Sequence, residues 1–189
     1  MIFPKTYKCL EINELKSGGY AIVPIRYEDR LDIMTWRNEQ IYHLRQDKPL
    51  TISDQDYYFK NVVAELFKQE KPNQILFSLL KNNECFGYGG LVHINWVDKN
   101  AEISFIMKTS LEKQYFDYHW ATFLSLIERV SFKELDLHKI YVYAFDVRPH
   151  LYSAIEAVNY KLDATLKEHC FFNGRFIDVL IYSKFKNIK

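Results

Sequence analysis

One stretch of the sequence, residues 101–159, restricts the fold more than any other part of the chain. It contains two apolar strand patterns, at residues 101–107 and 139–144, and a helical pattern follows each of them. Because a long helical connection separates the two strand patterns, we expect them to form a local parallel pair within one sheet. The connection after the first strand, residues 112–120, contains no glycine. We expect the next helix to run from about residue 118 to residue 135.

Patterns on both sides of this stretch extend the same sheet. A strand pattern at residues 20–25 is followed by two helical patterns and then by an antiparallel meander through residues 74–107. Near the C-terminus, Asn173 and Gly174 separate two aromatic-rich strand patterns and predict a tight hairpin, because both residues tolerate positive φ. The order β-α-α-β-β-β-α-β-α-β-β predicts a mixed α/β fold with a mostly antiparallel sheet flanked by helices. This mixture of pairings argues against a doubly wound Rossmann fold.

The strand pattern at residues 85–96 is interrupted by glycines at Gly87, Gly89 and Gly90. Glycine weakens a strand, so its use there usually marks a bulge or a place where another backbone approaches closely. We expect one of these two features in this strand.

The composition is that of a folded domain. Hydrophobic residues make up 48% of the 189 residues and aromatic residues 16%, which is enough for a substantial core. No linker or repeat divides the sequence, which predicts a single domain with an N-terminal extension over residues 1–19 and a core over residues 20–185. The net charge of +1 and the lack of a dense Lys/Arg block predict no nucleic-acid partner.

The three cysteines, Cys9, Cys85 and Cys170, have no metal-ligand or paired redox spacing, which predicts no metal site. An odd cysteine count without a signal peptide favours the reducing cytoplasm. The apolar runs are far shorter than the roughly 20 residues that span a bilayer, so we expect no membrane insertion. The sequence also lacks the motifs of serine hydrolases, P-loop NTPases and dithiol redox proteins.

Three short segments, taken in order, resemble those of a known superfamily. Trp36-Arg37-Asn38 is followed by Arg45, residues 100–105 have the sequence N-A-E-I-S-F, and residues 171–178 have the sequence F-F-N-G-R-F-I-D. These segments resemble motifs of the GNAT acetyltransferases, in the branch of ribosomal-protein N-terminal acetyltransferases and acetyltransferases of nucleotide-linked amino sugars. The resemblance covers nearly the whole chain from Tyr20 onward.

The resemblance implies a GNAT acyl-CoA N-acyltransferase fold with acetyl-CoA as co-substrate. In this family the strand matching residues 101–107 splays away from the strand at Ile140. The pantetheine arm lies in the gap and pairs with exposed backbone as an added strand would. The residues implied for cofactor binding are Phe105, Ile106, Met107, Gln114, Tyr118, His119 and Arg148.

The chain departs from the family in the loop that binds the pyrophosphate. Glycines are usual there because a side chain would block the approach of backbone N–H groups to the phosphates. Here the pattern falls on residues 114–119, which contain no glycine, and Asp117 would repel a phosphate. Either these side chains point away from the pocket or the cofactor site is closed. His119, if protonated, could pair with phosphate.

Acetyl transfer to an amine requires a group that accepts the amine proton and a group that protonates the departing thiolate. On the resemblance, Glu102 is the candidate base, because it lies on the strand beside the expected gap. His93, on the neighbouring strand, suits proton transfer and is assigned to the substrate side. The family's tyrosine acid aligns with Ile155, so Tyr152, nearly one helical turn earlier, is the candidate acid. Each candidate has a structural alternative as an ion-paired, hydrogen-bonded or packed side chain.

The acceptor is expected between the first two helices and the C-terminal hairpin. The residues assigned to it are Trp36, Arg37, Asn38, Arg45 and His93, in which arginine suits phosphate or carboxylate. The resemblance implies N-acetylation of a primary amine, with a nucleotide-linked amino sugar as the leading acceptor. A protein N-terminus is an alternative acceptor, and a catalytically inactive GNAT-like ligand-binding protein is the competing class. The sequence is compatible with a homodimer and does not identify the acceptor.

Overall fold

The central element of the fold is an eight-stranded mixed sheet with the spatial order β1-β2-β3-β4-β5-β6-β8-β7. The computed structural model describes residues 2–44, 46–147 and 149–187. Among these residues, β5 and β6 form the one parallel pair of the sheet, which confirms the predicted mixed α/β class. The strands are β1 (Leu15–Ser17), β2 (Tyr20–Pro24), β3 (Ile75–Lys81), β4 (Glu84–Asn95), β5 (Asn100–Met107), β6 (Lys139–Phe145), β7 (Lys161–Phe172) and β8 (Arg175–Phe185).

The helices are α1 (Arg30–Glu39), α2 (Ile52–Tyr57), α3 (Ala64–Leu66), α4 (Thr109–Arg129) and α5 (Pro149–Ala157). A π-helical segment, Tyr58–Val63, joins α2 to α3, and another, Val130–Glu134, extends α4. Successive side chains of a strand point to opposite faces of a sheet. Accordingly, Phe105 of β5 stacks on Phe123 of α4 at 4.6 Å, whereas its neighbour Ser104 faces a cavity beneath α1 and α2. No helix in the described ranges has the length and apolar character needed to cross a bilayer.

Helix α4 begins earlier in the chain than the sequence pattern predicts. β5 ends at Met107, Lys108 is the N-cap residue, and the segment predicted as a connection, residues 112–120, is helical. Phe116, Trp120 and Phe123 are buried at i, i+4 and i+7, which continues the inward face of the helix toward its N-terminus. Residues 109–120 contain no glycine or proline, which is consistent with the helix that they form. The predicted start of this helix near residue 118 is wrong.

The glycines of β4 allow its neighbours to approach closely. A Cβ atom at Gly89 would lie 2.1 Å from the carbonyl oxygen of Ser104, and one at Gly90 would lie 2.0 Å from that of Ile75. Both distances are far shorter than atoms tolerate, so side chains at these positions would push β3 and β5 away. The predicted close approach of another backbone is confirmed.

The residues set apart by sequence as an N-terminal extension pack on the core. The ring of Tyr7 is buried and stacks on Phe67 at 4.0 Å, and its hydroxyl donates to the carbonyl of Leu76 at 3.1 Å. β1 pairs with β2 in antiparallel register. At the other end of the chain, Asn173 and Gly174 adopt φ of 46° and 79° and connect β7 to β8, which confirms the hairpin.

We expect Gly89→Ala to lower the free energy of unfolding by about 2 kcal/mol or more, because the added methyl group would overlap the backbone of β5. The midpoint of urea denaturation measures this change. Gly18→Ala is the control, because nothing lies within 4 Å of its Cβ position and its φ of +54° costs only about 1 kcal/mol. Equal losses in the two variants would contradict the role of close packing at Gly89.

Candidate active site

The parallel pairing of β5 and β6 ends near the middle of both strands. The paired residues are Asn100 with Lys139, Ala101 with Ile140, and Glu102 with Tyr141. Both strands continue past this point, but no pairing joins residues 103–107 to residues 142–145. The backbone groups that β5 and β6 turn toward each other are therefore not used by the sheet. This is the splayed strand pair that the resemblance implies.

A cavity of about 380 Å³ fills the gap between the two strands, and we call it the splay cavity. Its strand walls are short segments of β5 and β6 immediately beyond the last pair. Two aromatic side chains of α4, Phe116 and Trp120, form part of its lining. Its lining also includes Arg37, Gln74, His93, Glu102, Ser104, Phe105 and Leu151.

A second cavity of about 310 Å³ lies beneath α1 and α2, and we call it the inner cavity. It has apolar walls from residues such as Ile33 and Leu76, together with polar side chains that include Tyr58 and Tyr88. Four residues line both cavities: Arg37, Gln74, Val92 and Ser104. These shared walls place the two cavities side by side, so that two ligands could meet between them.

Glu102 and His93 come together at the narrow end of the splay. Glu102 belongs to the last parallel pair, and its side chain is only 15% exposed. His93 lies where the β4–β5 register shifts, has a φ of 51°, and has a side chain that is 66% exposed. The distance from His93 Nε2 to Glu102 Oε2 is 4.0 Å. The tertiary structure thus brings the two predicted proton-transfer candidates into one site.

Arg37 lies in the wall shared by the two cavities. Its Nη1 donates to the Tyr88 hydroxyl at 2.7 Å, and its Nε donates to Gln46 Oε1 at 3.1 Å. Within the described part of the chain, no carboxylate lies within 4.0 Å of this guanidinium. Arg37 is therefore a cation with neutral partners.

The other predicted acceptor residues on α1 line neither cavity. Trp36 is buried in the core. The Asn38 side chain accepts from the backbone N–H of Leu50 at 2.7 Å and donates to the Leu50 carbonyl at 2.9 Å. Asn38 thus holds the segment that leads into α2. Arg45 lies outside the described residues.

The predicted cofactor residues on α4 point away from the splay cavity. Gln114 and Tyr118 are exposed, whereas His119 is buried against Tyr20 and Phe86. Burial lowers the pKa of His119, which disfavours the protonated form that would pair with phosphate. Phe116 and Trp120 line the cavity instead, as their i, i+4 apolar spacing could have indicated.

On β5, Phe105 is the predicted cofactor residue that lines the splay cavity. Its ring stacks on Trp120 at 4.9 Å. Ile106 and Met107 are buried outside the cavity lining, and the Met107 carbonyl accepts from Gln40 Nε2 at 2.7 Å. This hydrogen bond ties the end of α1 to the end of β5.

Tyr152 of α5 lies beside the cavity rather than in its wall. Its hydroxyl is 3.1 Å from both the Phe145 carbonyl and Asp146 Oδ1, and its ring stacks on Tyr182 at 5.6 Å. The preceding residue, Leu151, does line the splay cavity. The assignment of Tyr152 as acid stays a prediction. Arg148 lies outside the described residues.

Two further polar residues, Gln74 in the shared wall and Tyr88 in the inner wall, are not among the site residues that the sequence predicts. Gln74 precedes β3 and accepts from the Tyr58 hydroxyl at 3.3 Å through its Oε1. Tyr88 stands between two glycines of β4. A polar tip within an apolar strand pattern was the available signal in both cases. No group of three His, Cys, Asp or Glu side chains within the described ranges is arranged to hold a metal ion.

Comparison with known proteins identifies the family. A family model described as the acetyltransferase (GNAT) domain matches residues 22–181. The chain belongs to the GNAT acetyltransferase family. This membership makes it an N-acetyltransferase by class, and acetyl-CoA is the co-substrate of GNAT acetyltransferases. The resemblance inferred from the three sequence segments is confirmed at the level of the superfamily.

Solved structures support the GNAT fold. Spermidine N-acetyltransferase from Vibrio cholerae in complex with CoA and spermine has a TM-score of 0.78 and 18% identity, covering 90% of this chain and 97% of that chain. Its dodecameric structure in an intermediate state has a TM-score of 0.73 and 20% identity, covering 90% of this chain and 95% of that chain. At these identities the likeness shows the fold. No curated protein matches the chain.

We expect Tyr152→Phe to keep at least a tenth of the kcat of the unaltered protein for acetyl transfer and to lower the free energy of unfolding by about 1 kcal/mol. The reason is that its hydroxyl hydrogen-bonds within the β6–α5 turn and not in the cavity wall. Steady-state kinetics and thermal denaturation measure the two quantities. Tyr182→Phe is the matched control, since its hydroxyl bonds to Glu156 at 3.0 Å outside the cavity. A hundredfold fall in kcat confined to Tyr152→Phe would instead assign Tyr152 as the acid.

Proposed function

We propose that this protein transfers the acetyl group of acetyl-CoA to a primary amine bound where the splay cavity and the inner cavity adjoin. The observation that carries the proposal is the parting of β5 and β6 directly after Glu102. This parting leaves unpaired strand edges for one substrate and a largely buried carboxylate beside them for the chemistry.

The residues of the splay fit the pantetheine arm of the co-substrate. Its amide groups can pair with the free edges of residues 103–105 and 142–144 as an added strand would. Phe105, Phe116 and Trp120 offer an apolar wall for its methylene groups. The co-substrate supplies an activated acetyl thioester at the Glu102 end of this cavity.

The phosphates would lie at the first turn of α4. The backbone N–H groups of residues 114–119 belong to the interior of this helix and are used by its own carbonyls. The first N–H groups of a helix have no intrahelical carbonyl partner and carry partial positive charge. Thr109 and Ser110 begin α4 next to the exposed Lys108, which adds a full positive charge. Two carboxylates offset that charge, since Glu39 accepts from the Thr109 hydroxyl at 2.5 Å and Glu112 lies in the same turn. The support for phosphate binding without the family's glycine-rich loop therefore comes from the backbone N–H groups.

The chemistry assigned to this chain is removal of a proton from the attacking amine. An amine attacks only as the neutral base, and in this proposal Glu102 accepts its proton directly or through one water molecule. His93 stands 4.0 Å from Glu102 and is largely exposed, so it offers a route for the proton to solvent. As the amine nitrogen bonds to the thioester carbon, the C–S bond would break and CoA would leave as its thiolate, while Glu102 would accept the amine proton as base and His93 would relay it to solvent.

Two classes of acceptor have separate support. The similarity of the sequence to acetyltransferases of nucleotide-linked amino sugars favours an amino sugar, although the solved structures above give that acceptor no support. Their likeness favours a polyamine, because those proteins are spermidine N-acetyltransferases. A protein N-terminus, a cytoplasmic location and a homodimer stay predictions.

We expect acetyl-CoA to bind the purified protein with a dissociation constant below millimolar in isothermal titration calorimetry. Adenosine 3′,5′-bisphosphate, which lacks the pantetheine arm, is the control ligand. It should bind at least tenfold more weakly, because the splay cavity contacts the missing part. No binding of acetyl-CoA at millimolar concentration would overturn the proposed activity and favour a GNAT-like ligand-binding protein.

We expect Glu102→Gln to lower kcat at least a hundredfold with little change in acetyl-CoA affinity, because glutamine keeps the shape of the side chain but accepts no proton. Steady-state kinetics measures kcat, and calorimetry measures the affinity for acetyl-CoA. The control is Glu65→Gln on α3. It removes an exposed carboxylate that pairs with Lys68, and it should leave kcat unchanged. A kcat within threefold of the original would remove Glu102 as the base.

A further inference from the structure

We propose that the inner cavity binds an acidic oxygen group of the acceptor, so that the enzyme selects amines that also carry a carboxylate or phosphate and discriminates against polyamines. This inference rests on the proposed function and names the substrate class of that site. Hydrogen-bond donors of Arg37, Tyr88 and Gln74 on the cavity wall carry it.

The first observation is the charge of Arg37. Its partners, the Tyr88 hydroxyl and Gln46 Oε1, are both neutral, and no carboxylate of the described residues lies within 4.0 Å. A partly buried cation without a counter-ion is unfavourable, because its hydration is lost and no opposite charge replaces it. A ligand carboxylate or phosphate would supply that charge, and the planar guanidinium suits both groups.

The second observation is the hydroxyl proton of Tyr88. This hydroxyl accepts from Arg37, which leaves its own proton available for donation, and the described residues offer that proton no acceptor. The Tyr88 side chain is nevertheless buried, with 6% of its surface exposed. Buried donors are normally satisfied, so an oxygen in the inner cavity is the expected partner.

The amide of Gln74 adds a third donor to the same wall. Its Oε1 accepts from the Tyr58 hydroxyl at 3.3 Å, and the hydrogens on its Nε2 can therefore be donated to a ligand. Gln74 lines both cavities, as Arg37 does. The inner cavity therefore presents a cation and two neutral donors.

The acidic side chain in the lining of the inner cavity is that of Asp54, and its Oδ2 atom is bound to Thr51. Asp54 lies in the first turn of α2, where its Oδ2 accepts from the backbone N–H of Thr51 at 2.9 Å and from the Thr51 hydroxyl at 2.7 Å. The first of these bonds, together with the bond from the backbone N–H of Asp54 to the Thr51 hydroxyl at 3.2 Å, closes the capping box of α2. Asp54 keeps its negative charge, but it is exposed and therefore screened by solvent, whereas the partly buried guanidinium of Arg37 repels the distal ammonium group of a polyamine.

Three amines with the same five-carbon chain test this inference: 5-aminopentanoate, pentylamine and cadaverine. They carry a carboxylate, a methyl group and a second ammonium group at the far end. We expect kcat/KM for 5-aminopentanoate to exceed that for pentylamine at least tenfold, and that for cadaverine to be the lowest. Equal values, or a preference for cadaverine, would overturn the inference.

Variants of the donors assign the preference to this cavity. Arg37→Gln should reduce the advantage of 5-aminopentanoate over pentylamine to less than threefold, and Arg37→Glu should reverse the order in favour of cadaverine. Tyr88→Phe keeps the ring but lacks the hydroxyl. It should lower kcat/KM several-fold for 5-aminopentanoate and leave kcat/KM for the other two amines unchanged. Arg129→Gln removes an exposed positive charge that lines neither cavity and is the control for net charge. Unchanged ranking in Arg37→Glu, with a normal denaturation midpoint, would overturn the assignment.

A direct binding measurement separates this inference from the proposed activity. If the protein neither binds acetyl-CoA nor acetylates any amine, the proposed activity is contradicted, but the proposed subsite is not. Calorimetry with 5-aminopentanoate and pentylamine at low salt still tests the subsite, since it needs no turnover. Tighter binding of the carboxylate-bearing amine, lost in Arg37→Gln, supports the subsite. No difference between the two amines in the unaltered protein contradicts it.

Discussion

The site depends on the limited pairing between β5 and β6, which join over three residues and then part. On its other edge, β5 is held by β4, whose glycines admit its backbone at close range. β6 is held along its whole length by β8. Helix α4 bridges the two halves, because Phe123 stacks under Phe105 of β5 while Glu128 pairs with Lys184 of β8 at 2.8 Å. The gap is thus held open by packing on both sides.

The chemistry that we assign follows from the separation of charge across this gap. The carboxylate of Glu102 lies where the strands part, and the guanidinium of Arg37 lies in the wall that the splay cavity shares with the inner cavity. We propose that Glu102 accepts a proton and that Arg37 binds an anionic group of the acceptor. The similar solved structures are those of spermidine N-acetyltransferases, yet a shared fold does not decide the acceptor. The side chains that line the cavity decide it.

Much of the fold could be predicted from local patterns, because strand alternation, the Asn173-Gly174 turn and the β4 glycines each have a short-range physical cause. The start of α4 could not be predicted from a family pattern. That pattern marks a loop where this chain has buried aromatic residues at helical spacing. The same difference places Phe116 and Trp120, rather than Tyr118 and His119, in the cavity wall.

The sequence by itself determined the order of the strands from β2 onward, the superfamily and the identity of Glu102, His93 and Arg37 as candidates. The tertiary structure alone decided which side chains meet. Arg37 and Tyr88 bond across 51 positions of the chain. Gln74 and Tyr88 reach the inner cavity only because β3 and β4 place them beneath α1 and α2. Local propensity sets how each segment folds, whereas strand register and helix packing set which distant side chains share a cavity.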